Sequence, residues 1–539
     1  MALVLGPVLR HVGETTASIW VQTDRRATVT VLGCAARTFE VSGHHYALVP
    51  VTGLEPDSRT PYQVEIDGER AWPPAVTPFP PSLIRTRGPR SDARNRIIFG
   101  SCRYPKVADP KLAAAIGIDA LDAYAARMTH RPPQEWPDAL LLLGDQVYAD
   151  ELTPQTRRRI AGNRDRHPGW PDDEIVSYSE YVGLYTDSWS DPEIRWLLST
   201  VPTAMIFDDH DVRDDWNTSA VWRAEMAATP WWRDRIRSGL ASYWVYQHLG
   251  NLTSDDLAAD PDYRTVLEHG GDTWPLLVEL ADRADAAADG GKGMRFSFRW
   301  DLGRSRLLMI DSRAGRLLAD GRRQMLGDAE FAWLSEQVDA PGRVDHLVLG
   351  TSVPWLLPHA IGDIETVNEI AAARPGWRGR LGEKLRQAAD LEHWSAFRSS
   401  FDRLTAMIGR AAAGGPATVS VLSGDVHHSY AARADLLGRA DGHAAVHQLT
   451  CSPVHNRMEW YITPGFRVSW SRGARRLGEL WASRAGAPPK PVSWERMAGP
   501  LFGNTIATLD IDGRQAEVLF EQPRSAASLY ERARLKLTS

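Results

Sequence analysis

Four residue types that hold metals or move protons stand directly after short apolar runs in this sequence. Cys102 follows RIIFGS, and Asp145 and Tyr148 lie in GDQVY behind a leucine run. Asp208, Asp209, His210 and Asp211 form DDHD after PTAMIF, and Asp425, His427 and His428 lie in GDVHH after TVSVLS. Thiolate, phenolate, carboxylate and imidazole together suit a trivalent or borderline transition ion, whereas the further carboxylates suit a hard divalent one. A mixed two-metal site is therefore coherent, with Asp145 able to bridge. Two cations about 3.5–4 Å apart can clamp a phosphoryl group and lower the pKa of a bound water, so phosphate-ester hydrolysis is the chemistry such a set would perform.

Each residue alone has a plainer reading. A free cysteine is most often a small buried apolar residue, a lone tyrosine a core aromatic with a satisfied hydroxyl, and an aspartate run a helix cap or turn. His428 reads equally well as a structural hydrogen-bonder, and His455 and Asn456 as loop anchors. The tryptophans 216, 222, 231, 232 and 244 read as core. Asp311 and Arg313, in IDSR, are expected to pair with each other beneath the sheet, because buried charges need partners.

The elements that must position these groups follow from local pattern. The runs RIIFGSC, DALLLLGDQVY, PTAMIFDDHD, SRLLMIDSR, DHLVLGTSVPW and TVSVLSGDVHHS are buried strands ending in polar loops, the mark of a layered α/β sheet with its site at the strand ends. Residues 3 to about 70 alternate between apolar and polar with frequent turns, which predicts a small antiparallel β-sandwich. Within it, GLEPDSRTPY (53–62) resembles the tyrosine corner of fibronectin type III modules, with Tyr62 closing the loop. The expected division is a fibronectin-like sandwich over 1–72, a Pro-rich linker over 73–94, and a catalytic domain over 95–539 with a helical, Trp-rich insertion at about 216–290. NTIATLDIDGRQAEVLFEQ predicts a hairpin turning at Asp512-Gly513, and SAASLYERARLKL a closing helix.

Composition removes several alternatives. The 539 residues carry 62 Lys plus Arg against 68 Asp plus Glu, a net charge of −6, without the basic excess of a polyphosphate-tracking protein, so nucleic acid is an unlikely partner. The three cysteines are widely spaced and form no CxxC pair, which predicts neither a disulfide framework nor a structural zinc site. No apolar run is long enough to cross a bilayer. The N-terminal residues show neither a basic stretch before an apolar core nor twin arginines, so the expectation is cytoplasmic. Oligomeric state is unreadable.

In the order SC, GDxxY, DDHDV and SGDVHH, with IDSR, LGDAEFAWL and CSPVHN as echoes, the sequence resembles the alkaline phosphatase D family of metallophosphoesterases, relatives of purple acid phosphatases. The resemblance covers roughly residues 96–522. It implies a four-layer α/β/β/α sandwich preceded by a fibronectin type III-like β-sandwich, and hydrolysis of a small phosphate ester, monoester or diester. It further implies iron(III) held by Cys102, Asp145, Tyr148 and His427. A second divalent ion, calcium with manganese or zinc as alternatives, would share Asp145 and take Asp209 and Asp425. His210 is implied as the proton donor to the leaving group, with Arg213 as a further catalytic residue and Asn217 as a substrate-binding one, each a candidate to contact phosphate or metal-bound water. Two rival functions are a nucleotide- or nucleic-acid-directed phosphodiesterase, and a non-catalytic metal-binding or adhesion protein with a decayed core.

Overall fold

The computed structural model describes residues 2–88, 94–164, 167–340, 342–436, 444–457 and 463–538. Two central sheets face each other. The first has six strands in the spatial order 203–206, 139–143, 95–100, 506–512, 515–525 and 528–536. The second has seven, in the order 298–302, 305–310, 346–351, 418–423, 445–450, 429–436 and 492–501. The strands that feed the predicted site are parallel within each sheet.

Full burial on both faces explains why these strands are apolar throughout. In the 305–310 strand, Leu307 and Met309 enter the core between the sheets, while Leu308 and Ile310 turn outward onto Phe401, Leu404 and Ile408 of helix Arg398–Ala413. Alternate residues thus serve different apolar layers. On the other side, helix Ala120–Met128 covers the six-stranded sheet. The result is the expected helix/sheet/sheet/helix layering.

Register brings the strand ends together. Gly100 pairs with Leu142 and Leu143 with Ile206, so three loops leave the first sheet at one edge. In the second sheet, Ile310 pairs with Thr351 and Ser423 with Thr450. The two edges are stitched where the Val454 N–H donates to the Ser101 carbonyl at 2.8 Å and the Asp425 N–H to Ser101 Oγ at 3.0 Å.

The N-terminal region is a sandwich of two four-stranded antiparallel sheets around Ile19, Val21, Val29, Val49 and Val64. Its outer face continues into the main core: Trp20 and Tyr46 pack on Trp189 and Tyr246, with Trp20–Tyr246 centroids 5.1 Å apart. Arg10, fully buried, donates from Nη2 to the Gln247 carbonyl at 2.6 Å and to Asn251 Oδ1 at 2.8 Å. Within 73–94, Leu83–Arg85 forms a short strand against Arg59–Pro61. Removing residues 2–88 would uncover this aromatic cluster. The expected outcome is insoluble protein, measured as the soluble fraction on expression beside the full chain.

Two local expectations are corrected. Tyr62 does not close its own loop; its hydroxyl donates to the carbonyl of Ser199, because the corner is buried against helix Pro192–Thr200. The predicted closing helix is a strand: Ser528–Lys536 pairs antiparallel with Gln515–Ser525. Leu529, Ala533 and Leu535 lie at even spacings and pack against the core, so the two-residue period prevails over helix propensity. The 216–290 stretch is largely helical, and Trp216, Trp222, Trp232 and Trp244 are core residues.

Candidate metal centre

The strand-end residues adopt backbone conformations that ordinary residues avoid. Cys102, Asp145, Asp425 and His427 have φ of 57°, 49°, 68° and 48°, the left-handed region. Gly144, at φ 115°, precedes Asp145 where a Cβ would stand 2.7 Å from the Cβ of Asp208, so only glycine lets these two loops touch. Sharp turns immediately after the strands aim the next side chain back across the sheet edge.

They converge. Cys102 Sγ lies 3.2 Å from Asp145 Oδ2, and the Tyr148 hydroxyl lies 3.5 Å from the same oxygen. Ser452 Oγ donates to Cys102 Sγ at 3.2 Å, and Asn456 Nδ2 donates to the Tyr148 hydroxyl at 2.9 Å. One oxygen from each of Asp145, Asp208 and Asp209 lies within 4.8 Å of the others. His427 lies within electrostatic reach of Asp425 and His210, and burial pulls its imidazole down to about 4.

Three carboxylates this close and this buried are costly without a counter-charge. Burial pushes the Asp145 and Asp208 carboxyls well above their ordinary range, and neighbouring carboxylates add to the shift despite the opposing charges of His210 and Arg313. Cys102 and Tyr148 are likewise pushed up by burial first and by nearby anions second. Asp145 Oδ1 and Asp208 Oδ2 are buried without a hydrogen-bond partner. Acceptors that converge, lack protons to accept and repel one another fit a cation.

A second ring of residues fixes this cluster. Arg313, fully buried, donates to Asp208 and to Glu392 and stands 3.1 Å from Asp209 Oδ1, an ion contact without hydrogen-bond alignment. The expected Asp311–Arg313 side-chain pair is corrected: Asp311 instead accepts from the N–H groups of Arg313, Ala314 and Gly315, which shapes the loop that frees Arg313 to reach across. Asp425 Oδ2 lies 2.8 Å from His393 Nε2, whose Nδ1 lies 2.7 Å from Glu365. Burial opposes ionisation of Asp425, but His393 and Arg313 hold its carboxyl well below the usual range. His393 and Glu365 were not visible in the sequence, because LEHWS follows no strand and IETVNEI reads as an ordinary helix.

His210 is mostly buried, with 18% of its side chain exposed. Its Nδ1 lies 2.9 Å from Asp150 Oδ1, and its ring stacks obliquely on Tyr148 at 4.9 Å. Burial lowers its basicity, but Asp150 outweighs that and keeps the imidazole protonated well above the ordinary range. Arg213 is directed to Glu174, at 3.1 and 3.2 Å. The Asn217 carboxamide is engaged with the Arg313 carbonyl and the Arg223 guanidinium. His428 packs on Phe466 and bonds the Val426 carbonyl through Nδ1, a structural role.

A cavity of about 640 Å³ adjoins the cluster through Tyr104, Asp150 and Asn456, and Arg157, Arg158 and Arg457 line it. A cleft of about 1440 Å³ between the N-terminal sandwich and the 298–302 strand contains none of the clustered residues.

Residues 119–464 match the family model of PhoD-like phosphatases. The chain belongs to the PhoD-like phosphatase family. Residues 1–84 of this PhoD-like phosphatase match a domain of unknown function, DUF7800. No curated protein sequence matches it. Among solved structures, that of PhoD is similar with a TM-score of 0.60 and 12% identity, covering 100% of this chain and 91% of that one. The purple acid phosphatase PPD1 from yellow lupin (Lupinus luteus) seeds is similar with a TM-score of 0.50 and 10% identity, covering 99% and 74%. Likeness at such identity concerns the fold; the family match makes this PhoD-like phosphatase a metal-dependent phosphoric ester hydrolase. Among its described residues, no helix is long and apolar enough to cross a membrane.

Proposed function

We propose that this phosphatase hydrolyses small phosphate esters at a dinuclear centre, with Cys102, Asp145, Tyr148 and His427 holding iron(III). Asp145, Asp209 and Asp425 would hold a second, divalent ion, for which calcium suits the carboxylate oxygens. The observation that carries this reading is the convergence of a thiol, a phenol and three buried carboxylates, with carboxylate oxygens left unpaired. The paired cations would supply charge for the phosphoryl oxygens and acidify a water for in-line attack. The iron assignment predicts that Cys102→Ser shifts or abolishes the visible absorption of the purified protein; an unchanged spectrum and iron content would remove the thiol from the ligand set.

The chain's own contribution to bond breaking is proton delivery. Asp150 occupies Nδ1 of His210 and favours the charged ring, so Nε2, which stands 3.9 Å from Asp214 Oδ1 and beyond hydrogen-bond reach of it, would donate to the departing alkoxide. Arg213 and Asn217, engaged elsewhere, take no step here. His210→Ala is expected to lower turnover of alkyl phosphates by about 10²–10⁴-fold, while p-nitrophenyl phosphate, whose leaving group needs no proton, changes far less. Equal losses on both substrates would overturn the proton-donor role. Asp150→Asn should reproduce the pattern more weakly.

Monoester and diester turnover measured side by side decides between phosphomonoesterase and phosphodiesterase action.

A further inference from the structure

Most of the conspicuously exposed apolar surface is concentrated in one place. Among the described residues thirteen large apolar side chains are strongly exposed, and eight of them lie on four neighbouring helices, His359–Ala372, Trp377–Ala388, Thr463–Ser469 and Arg472–Ala485. Trp377, Leu381 and Leu385, 64%, 50% and 53% exposed, recur every four residues and so form one row on their helix. Leu477, Leu480 and Trp481, each nearly half exposed, stand three and four residues apart and so share one side of another helix.

Packing explains why these rows are left uncovered. Helix 359–372 lies against both of the others, and each turns a glycine edge toward it. A Cβ on Gly382 would stand 2.8 Å from the Ala372 nitrogen, and one on Gly478 2.8 Å from Asp363 Oδ2. The contacts that fasten these helices therefore use their small residues, and the large apolar ones are free.

The same helices are basic in a chain whose net charge is −6. Arg378, Arg380 and Lys384 flank the first row and Arg472, Arg476 and Arg484 the second, all exposed. The exposed acid on these two helices is Glu479, which is paired with Arg475. Tryptophan and leucine rows bordered by arginine are the composition of helices that lie in a lipid interface. A second copy of this face would bring like charges together, whereas an anionic bilayer complements both the apolar rows and the cations.

We propose that the helical face built on 377–388 and 472–485 docks this protein onto anionic lipid surfaces, as a peripheral contact and not a span. Helix 359–372, against which both rows' helices pack, also carries Glu365, whose carboxylate meets His393 beside Asp425. Docking is independent of which metals or esters the centre takes, and it is read without turnover.

The test is co-sedimentation of the full chain with vesicles of phosphatidylcholine alone or mixed with phosphatidylglycerol. Binding is expected to the mixed vesicles, weak or absent with phosphatidylcholine alone, and reversed by high salt. The double variants Trp377→Ser/Leu381→Ser and Leu477→Ser/Trp481→Ser, and Arg378→Glu/Lys384→Glu, should each bind about tenfold or more weakly. All should keep p-nitrophenyl phosphate turnover, which shows that they remain folded. Failure of the parent protein to sediment with mixed vesicles overturns the proposal. So does equal binding by parent and variants, or a dimer seen by light scattering that the same variants dissolve, which would make this a self-association face.

Discussion

Replacing Asp145 by Asn is expected to lower turnover of p-nitrophenyl phosphate by about a thousandfold or more, equivalent to about 4 kcal/mol of lost transition-state stabilisation. Its Oδ2 lies 3.2 Å from the Cys102 sulfur and 3.5 Å from the Tyr148 hydroxyl, while its Oδ1 is buried without a partner. Asn keeps the size and tolerates the left-handed backbone at φ 49°, yet it removes the charge and points an N–H pair where a cation would sit. The same change should leave the metal-free protein at least as stable, because the ionised Asp145 is repelled by Asp208, Asp209 and Asp211. Lost turnover with an unchanged or raised metal-free Tm separates a ligand defect from misfolding. Full turnover would remove Asp145 from the bridging position.

The other large effect is expected at Arg313. Its guanidinium is the shared counter-charge of Asp208, Asp209 and Glu392, and both it and these carboxylates are withdrawn from water. Arg313→Met leaves those anions buried without it, a situation that costs about 3–5 kcal/mol. Guanidinium denaturation of the metal-free protein measures that cost as a lower midpoint. The double change Arg313→Met/Glu392→Met should recover part of it, since the two residues interact directly and their effects will not add. If the single variant unfolds at the parental midpoint, the ion network is not a stabilising element.

Much of this arrangement is legible in the sequence, for a physical reason. Strands buried on both faces are continuous apolar runs, so RIIFG, ALLLL and TVSVLS announce themselves, and whatever follows each lies at the sheet edge. Cys102, Asp145, Tyr148, Asp208, Asp209, Asp425 and His427 are all found within a few residues of such an end. What supports them is not legible in the same way. His393 and Glu365 reach Asp425 from a loop and a helix whose local patterns carry no signal of the site, and Arg313 turns away from Asp311, its expected partner, to charges about a hundred residues away in sequence. Long-range pairing of this kind depends on which loops the fold brings together. The C-terminal segment departs from its expected helix for a related reason: in SLYERARLK the apolar residues fit both periods, and the open edge of the 515–525 strand decides for the strand.

The central claim is that side chains from two facing sheets share a pair of cations through Asp145. A long-wavelength anomalous diffraction map of the purified, metal-replete protein tests it most directly. Two peaks are predicted about 3.5–4 Å apart, one beside Cys102 and Tyr148 and one beside Asp209 and Asp425, both within bonding distance of Asp145. A single peak, or two peaks of which either lies out of reach of Asp145, would contradict it.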